Sequence, residues 1–260
     1  MRRPAGWRSR WAATTLSVVV LGAVWVALTW NGAVSDLFLP GPDLLWSALV
    51  DLLEDGYKSR PLWEHIGDSL VRVLAGFGAG ALVGTLLGLA MGYLPTVDAL
   101  CTPFIEFLRP LPQLAYLVLL IIWLGIGETS KVTLLFLAAL PVSAVAARDG
   151  VRNVSAVRLS VARSLGANTW QVFRYVVFPS AMAEILAGAR LAIGIVYGTL
   201  IAAEIIAGST GIGWMILDAG RFLRSDYVFV GILIIGLMGV ALDRILLALE
   251  LRVVHWAGKA

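Results

Sequence analysis

The sequence has few of the residues from which metal centres and disulfides are built. It contains one cysteine, Cys101, and two histidines, His65 and His255, among 260 residues. A single cysteine excludes an intramolecular disulfide and a cysteine-based metal cluster. The two histidines lie too far apart along the chain to give a metal-ligand spacing. We therefore expect this chain to bind no metal and no cofactor.

Charged residues are also scarce. Only 14% of the residues are charged, whereas 59% are hydrophobic; a soluble domain usually carries about 25% charged residues. This deficit, together with long uncharged runs, predicts an integral membrane protein. The net charge of +3 is small, which argues against nucleic acid as a partner.

Signatures of common catalytic sites are missing as well. The sequence contains no H-E-x-x-H and no G-x-S-x-G, the motifs of many metalloproteases and serine hydrolases. It also lacks G-x-x-x-x-G-K-[ST], so we expect no ATP bound by a P-loop. Since no convergent set of catalytic side chains stands out, the pattern argues against an intramembrane enzyme.

The uncharged runs predict an all-α, polytopic membrane helix bundle with about six transmembrane helices. The predicted spans are 11–30, Val73–Val97, Pro110–Gly127, Val132–Ala147, Ile185–Ile206 and Tyr227–Leu242. They divide the chain into a tail at 1–10, a first span at 11–30, an external segment at 31–69, a transmembrane core at 70–250 and a tail at 251–260. Within the external segment, the leucine spacing of Pro42–Glu54 predicts an amphipathic helix.

Basic residues gather on one side of this arrangement. The N-terminal tail carries four arginines, and the loop at 148–183 carries five, namely Arg148, Arg152, Arg158, Arg163 and Arg174. The opposite side carries fewer. By the positive-inside rule, both termini and this loop are cytoplasmic, and the chain lies in the cell membrane with several spans.

Small residues and one acid mark the spans. The second span has a glycine at every fourth position from Gly76 to Gly92, a stripe that predicts close helix packing, with a substrate contact as the alternative. Gly194 and Gly198 repeat the theme in the fifth span and suit a translocation pathway or a subunit interface. Glu204, near the outer end of that span, either faces the pathway or a partner subunit, or snorkels into the interface.

The loop at 148–183 has a helix–turn–helix pattern. Apolar residues between Val157 and Leu165 recur at helical spacing, and Gly166 can adopt the left-handed conformation that ends a helix. A second apolar pattern runs from Trp170 and ends at Pro179. Two interpretations remain open: an amphipathic hairpin anchored in lipid, or a docking element for a cytoplasmic partner.

The same loop resembles the coupling loop of ABC-importer permeases. The family pattern is Glu-Ala-Ala, three residues, Gly, nine residues, then Ile-x-Leu-Pro. Here the Ala, Gly and Pro keep that spacing, and a serine stands where the family has glutamate. The resemblance implies that the coupling helix, its turn and the end of the loop include Ser160, Ala162, Leu165, Gly166, Ala167 and Pro179.

Four further stretches resemble permeases of the nitrate, sulfonate, taurine and bicarbonate group, and the taurine branch in particular. They are LFLPGPDLLWSAL, LWEHIGDSLVRVLAGFGAG, FLRPLPQLAYLVLLIIWLGIGETSKV and AAEIIAGSTGIGWMI, within residues 36–250. The resemblance implies a type I ABC-importer permease fold. It also implies that two permease copies, a homodimer, form the pathway. Two cytoplasmic ATPase subunits would carry ATP-Mg, and an external binding protein or lipoprotein would deliver the substrate.

The substrate implied by this resemblance is a small organic anion, taurine or another alkanesulfonate. Nitrate, bicarbonate and a thiamine precursor are the alternatives within the same permease role. The anion would meet helix N-termini, or Arg109 or Arg190. A self-contained secondary transporter is the alternative class; such proteins often show repeats between their halves, and no repeat stands out here.

Overall fold

The computed structural model describes the backbone of residues 7–254, and the side chains of that range apart from 7–14 and 18. The tails at 1–6 and 255–260, and His255 with them, lie outside the described residues. Within the described range the chain forms eleven α-helices and one π-helical turn, which joins α8 to α9 without a break. The elements are α1 (Trp7–Trp30), α2 (Pro42–Glu54), α3 (Leu62–Tyr93), α4 (Pro95–Leu108), α5 (Gln113–Leu124), α6 (Glu128–Arg152), α7 (Ala156–Ser164), α8 (Thr169–Val172), the π-helical turn Phe173–Val177, α9 (Phe178–Ala207), α10 (Ile212–Arg221) and α11 (Ser225–Val253). The predicted all-α membrane bundle is confirmed.

Four continuous helical segments in the described range are long and apolar enough to cross a membrane. They are Leu62–Tyr93, Glu128–Arg152, Thr169–Ala207 and Ser225–Val253. The pair α4 and α5 passes the same test jointly but bends by 100° at its break. The apolar part of α1, Thr15–Trp30, is shorter. Together these segments are compatible with about six membrane-crossing units.

The predicted span Pro110–Gly127 is wrong. Its helix covers only Gln113–Leu124, about 18 Å at 1.5 Å per residue, against the roughly 30 Å of a hydrocarbon core. Pro110 and Pro112 lie in the break between α4 and α5; proline lacks an N–H and disfavours a helical residue before it. Hydropathy alone counted the break residues before α5, and the turn after Leu124, as part of the span.

Other span boundaries shift for identifiable reasons. The second span begins at Leu62 instead of Val73, so it takes in the charged residue Arg72. It ends at Tyr93 because Leu94, which precedes Pro95, is extended. The fourth span is also longer than predicted and covers Glu128–Arg152. Charged residues therefore lie inside helices that the uncharged runs had truncated.

The chain divides into two compact units. The first contains residues up to Trp63 together with Met215–Leu233. Within it, α2 has the predicted bounds and buries Leu45, Ala48 and Leu52 on one face. The Trp25 indole donates a hydrogen bond to the Pro40 carbonyl oxygen at 3.2 Å. This bond ties the segment before α2 to α1.

The second unit contains Glu64–Trp214 and the chain after Leu233. Its packing depends on the glycine stripe of α3, which lies against α6. A methyl group added at Gly80 would overlap the Phe136 carbonyl oxygen and the Ala139 side chain, and one at Gly92 would overlap Val151. The interpretation of this stripe as a close helix-packing surface is confirmed.

Candidate functional sites: an exposed corner and a buried ion cluster

Two regions of the second unit stand out by their chemistry. One is the corner between α7 and α8, which includes Leu165 and Gly166. The other is a group of charged and polar side chains around Arg72 and Glu204. They differ in burial, in polarity and in the kind of interaction they can make.

The corner begins with a helix end that only glycine fits comfortably. Gly166 has φ +83°, the left-handed conformation predicted from the sequence. The Gly166 N–H donates to the Arg163 carbonyl at 3.0 Å, and the Ala167 N–H to the Ala162 carbonyl at 3.1 Å. This pair of bonds is the Schellman motif, which satisfies the last carbonyls of α7. The chain is thereby turned sharply within two residues.

A reciprocal cap starts the next helix. The Asn168 side chain accepts a hydrogen bond from the Gln171 N–H at 2.9 Å, and the Gln171 side chain accepts one from the Asn168 N–H at 2.8 Å. Such a capping box satisfies two donors that a helix N-terminus otherwise leaves open. With a closed C-terminus before it and a closed N-terminus after it, the corner has a defined shape.

The outer face of the corner is apolar. Val157, Val161 and Leu165 follow at four-residue spacing and expose 71%, 53% and 82% of their surface, and α7 buries none of its residues. They border a groove whose opposite wall is formed by Tyr175, Val176, Pro179 and Ser180. Exposed apolar residues grouped in this way mark an interaction surface.

The inner face of the corner is anchored in a core. Val172 and Val177 are buried with residues of α3, α6 and α9. Leu159, Ala162 and Ala167 pack against that core from the corner itself. The inner face of the corner is therefore packed against the bundle, and its outer face is exposed.

The structure brings together only some of the residues expected in the coupling loop. Ala162, Leu165 and Pro179 line the same groove, and Gly166 makes the turn. Ala167 packs inward. Ser160 is exposed, and its carbonyl accepts a hydrogen bond from the Ser164 hydroxyl at 3.0 Å.

The prediction that Pro179 ends the second apolar helix of the loop is wrong. Helical structure runs without a gap from Thr169 to Ala207, and Pro179 lies in the first turn of α9. The π-helical turn Phe173–Val177 comes directly before it. A proline removes one helical hydrogen bond and crowds the carbonyl four residues back, and the wider turn accommodates both effects. The loop's second helix and the fifth span are therefore one rod.

The buried ion cluster is centred on Arg72. Its guanidinium donates to Glu204 at 2.6 Å and to both carboxylate oxygens of Glu128 at 2.6 and 2.8 Å. It also donates to the carbonyl and hydroxyl oxygens of Thr210 at 3.0 and 2.7 Å. Lys131 donates to Glu128 at 2.7 Å. Arg72, Lys131 and Glu204 are buried, whereas Glu128 is exposed.

The expectation that Glu204 faces a pathway or a partner subunit, or snorkels to the interface, is wrong. Its side chain is 0% exposed. One carboxylate oxygen accepts from the Ser69 hydroxyl at 2.8 Å and from Arg72, and the other accepts from the Gly213 N–H at 2.8 Å. A buried carboxylate is tolerated when it is paired and hydrogen-bonded in this way.

The same cluster caps the N-terminus of α10. The Gly211 N–H donates to His65 Nδ1 at 3.2 Å, and the Ile212 N–H to the Ser69 hydroxyl at 2.9 Å. With Glu204 on the Gly213 N–H, three consecutive backbone donors are satisfied by side chains from α3 and α9. The negative charge of Glu204 also lies at the positive end of the α10 dipole.

Sequence reasoning missed most of this cluster. The predicted spans begin or end beside Arg72 and Glu128, and the sequence assigns no partner to His65, Ser69 or Lys131. The available signal was Glu204 itself, because an acid inside an apolar run requires a cation. The sequence does not identify that cation, because Arg72 lies 132 residues away from Glu204 along the chain.

The remaining predicted positions lie along α9. Gly194 and Gly198 are exposed, and a methyl group added at either would meet nothing within 4 Å, so this face is open in the single chain. Arg190, expected to meet an anion, instead donates to Asp243 at 3.0 Å and to Glu250 at 3.2 Å. Two carboxylates therefore already neutralise its charge.

This bundle of apolar spans, with an exposed apolar corner on a continuous helix, is the membrane permease subunit of an ABC importer. Residues 80–255 match the description "binding-protein-dependent transport system inner membrane component", and the chain belongs to that family.

Three similar proteins show the range of the family. The taurine transport system permease protein TauC of Escherichia coli (strain K12) is 41% identical over 94% of this chain and 90% of its own length. The putative aliphatic sulfonates transport permease protein SsuC of Bacillus subtilis (strain 168) is 32% identical over 98% and 91%. The nitrate import permease protein NrtB of Synechocystis is 30% identical over 92% and 88%.

A solved structure has the same fold. It is an inward-facing form of the MetNI methionine ABC transporter, with a TM-score of 0.52 at 20% identity, over 80% of this chain and 98% of that chain. At this identity the likeness concerns the fold alone.

Proposed function

We propose that two copies of this chain form the membrane pathway of an ATP-driven importer for a small organic sulfonate, taurine or another alkanesulfonate. The identity of 41% with a taurine permease over nearly the whole chain carries this proposal. The match to a sulfonate permease supports the same chemical class. An external binding protein delivers the substrate, and both termini lie in the cytoplasm.

ATP is hydrolysed on a separate pair of subunits that dock at the corner. The support is the exposed face of Val157, Val161 and Leu165, which a partner would remove from water. Burial of apolar surface contributes roughly 25 cal/mol per Å², so this face offers affinity without charge. That suits a chain in which Ser160 replaces the family's glutamate.

The corner transmits movement because it is part of a long rod. The helical segment Thr169–Ala207 has 39 residues, or about 58 Å at helical rise. One end belongs to the docking corner and the other end reaches Glu204 in the ion cluster. Closure of the ATPase pair would move this rod as a lever, as in domain-closure switches.

Transport in a reconstituted system tests the substrate. The permease, its ATPase and its binding protein are placed in liposomes, and ATP-dependent uptake of labelled taurine is measured. We expect ATP-dependent uptake of taurine that ethanesulfonate inhibits by competition and nitrate does not inhibit. Uptake of nitrate or bicarbonate with no effect of taurine would overturn the sulfonate assignment but leave the importer class intact.

The importer class has a separate test. The permease alone, without its ATPase, should show no concentrative uptake in the same liposomes. Concentrative uptake driven by an ion gradient would identify a self-contained secondary transporter instead.

A further inference from the structure

A second apolar cavity lies on the other side of the corner's second helix. It is separate from the groove that contains Leu165 and has a volume of about 640 Å³. Its walls are the last turns of α3 and the segment from α8 to the start of α9, and it is lined by Leu86, Leu89, Tyr93, Trp170, Phe173 and Phe178 among others. The proposed function gives this cavity no role.

Aromatic rings form one wall of the cavity. Phe173 is central: its ring lies 5.4 Å from Tyr93 in an edge contact, 5.9 Å from Trp170 in a stacked contact and 6.4 Å from Phe178. Rings that support one another at these distances form a stable surface. The cavity is therefore a slot with a fixed wall.

The other wall lies at membrane depth. Residues from Leu86 to Leu94 belong to the charge-free run Val73–Val97. Eight helical steps cover about 12 Å, compared with about 15 Å for one leaflet of a 30 Å hydrocarbon core. Leu86, Leu94 and Trp170 are all exposed, so the slot is open at the surface of the chain, and an apolar run of this kind places that surface against the bilayer.

One cation lies beside the residues of the slot along the chain. Arg174 follows Trp170 by four residues and precedes Phe178 by four, a spacing that places it on or near the same helix face. Its side chain is exposed. Among residues 7–254, no ion pair or hydrogen bond joins Arg174 to another side chain. An apolar slot with a cation beside its residues along the chain has the two elements of a lipid site.

We propose that this slot binds one acyl chain of an anionic phospholipid, with the lipid phosphate held at Arg174. The apolar lining accommodates the acyl chain. Trp170 and Tyr93 are aromatic residues of the kind that is enriched at the boundary between hydrocarbon and headgroups. The cation selects anionic over zwitterionic headgroups. The bound lipid supports the corner's second helix on the side opposite the groove that Leu165 borders.

This inference depends on membrane placement and not on the transported substrate. A wrong sulfonate assignment would leave it standing, because its readout is lipid binding.

Native mass spectrometry of the purified permease–ATPase complex tests the site. Phosphatidylglycerol or phosphatidylcholine with matched acyl chains is added, and the retained lipid is counted. Ala90→Trp fills the slot and should reduce retention of both lipids about tenfold. Arg174→Gln should reduce retention of phosphatidylglycerol at least threefold and that of phosphatidylcholine by less, because both headgroups carry a phosphate but only phosphatidylglycerol has a net negative charge. Arg252→Gln, an exposed arginine at the end of α11, is the matched control and should behave as the unmodified protein.

Either of two results overturns the proposal: unchanged retention in a folded Ala90→Trp complex, or equal losses of phosphatidylglycerol in the Arg174 and Arg252 variants. A measurement on the unmodified complex covers the case in which Ala90→Trp does not fold. Phosphatidylglycerol with a photoreactive group in its acyl chain should label peptides containing Leu86–Leu94 and Trp170–Phe178. Absence of label there, or crosslinks of the slot to another subunit in its place, contradicts the lipid site.

Discussion

The ion cluster and the corner reverse the usual distribution of polarity in opposite ways. Around Arg72 and Glu204, three of the four charges are buried and each of the four has a partner. At the corner, Val157 and Leu165 are apolar and exposed. Buried charges that satisfy one another specify the fold, whereas exposed apolar residues leave free energy available for association. The comparison therefore separates stability from function within one unit.

The largest expected effect is loss of the central cation. Arg72→Met leaves Glu204 buried without its charge partner, and breaking a buried pair costs about 3–5 kcal/mol. We expect the variant to lose its folded, monodisperse state in detergent at a markedly lower temperature. Thermal stability measured by size-exclusion chromatography reports this loss.

The matched control replaces both charges. In Arg72→Met combined with Glu204→Leu no uncompensated charge remains in the core, so much of the stability should return. If Arg72→Met alone were as stable as the unmodified protein, the ion cluster would not contribute to the stability of the fold.

The second effect concerns association. Leu165→Asp places a charge on the exposed docking face, and we expect ATPase affinity to fall at least tenfold, about 1.4 kcal/mol. Permease stability should stay unchanged because Leu165 is 82% exposed. Titration of the ATPase against the immobilised permease gives the affinity. Leu223→Asp, at an apolar residue between α10 and α11 that is 68% exposed, should leave the affinity unaltered. Equal affinity in both variants would argue against docking at the corner.

The third effect tests the turn itself. A side chain at Gly166 meets no neighbour within 4 Å, so Gly166→Val is strained through the backbone alone, by roughly 1–2 kcal/mol. We expect membrane insertion to survive, while transport and ATPase attachment both weaken. Gly166→Asn is the control, since asparagine tolerates this conformation better than valine. Normal uptake in the valine variant would exclude a docking role for the turn.

The smallest effect belongs to a polar cluster in the first unit. Asp218 accepts a hydrogen bond from Tyr57 at 2.7 Å and pairs with Lys58 at 2.6 Å. Burial acts to raise the pKa of Asp218, but the hydrogen bonds from Lys58 and Tyr57 outweigh it and lower that pKa. Burial, reinforced by Asp218, raises the pKa of Tyr57.

Because the pKa of Asp218 is lowered on folding, its contribution is present above the unfolded value of about 3.9 and is lost as the pH falls through the folded pKa. Lys58 is about half exposed, so we expect Asp218→Asn to cost less than about 1 kcal/mol at neutral pH. The variant should also flatten the acid limb of the stability profile between pH 5 and pH 3 in a detergent unfolding series. A loss as large as that of Arg72→Met would show that the exposure of the cation, 48% for Lys58 against 3% for Arg72, does not separate the two clusters.

Local features of the chain were predictable from sequence, and tertiary pairings were not. The bounds of α2 and the left-handed turn at Gly166 follow from residue spacing and glycine geometry, which act over a few positions. The partnership of Arg72 with Glu204 requires two helices to meet, and one sequence does not report that meeting. The run Pro110–Gly127 failed for a third reason: hydropathy counts Pro110 and Pro112, which lie in the 100° break before α5, as part of the span.

The π-helical turn Phe173–Val177 fixes a phase relation between corner and span. A π turn takes more residues than the 3.6 of an α-helix, so it acts as a one-residue insertion in an otherwise regular rod. Removing one residue there would restore α-helical phase and rotate the corner by about 100° around the rod axis relative to the span. The number of residues before Pro179 therefore sets the orientation of the exposed face that includes Leu165, independently of side-chain chemistry.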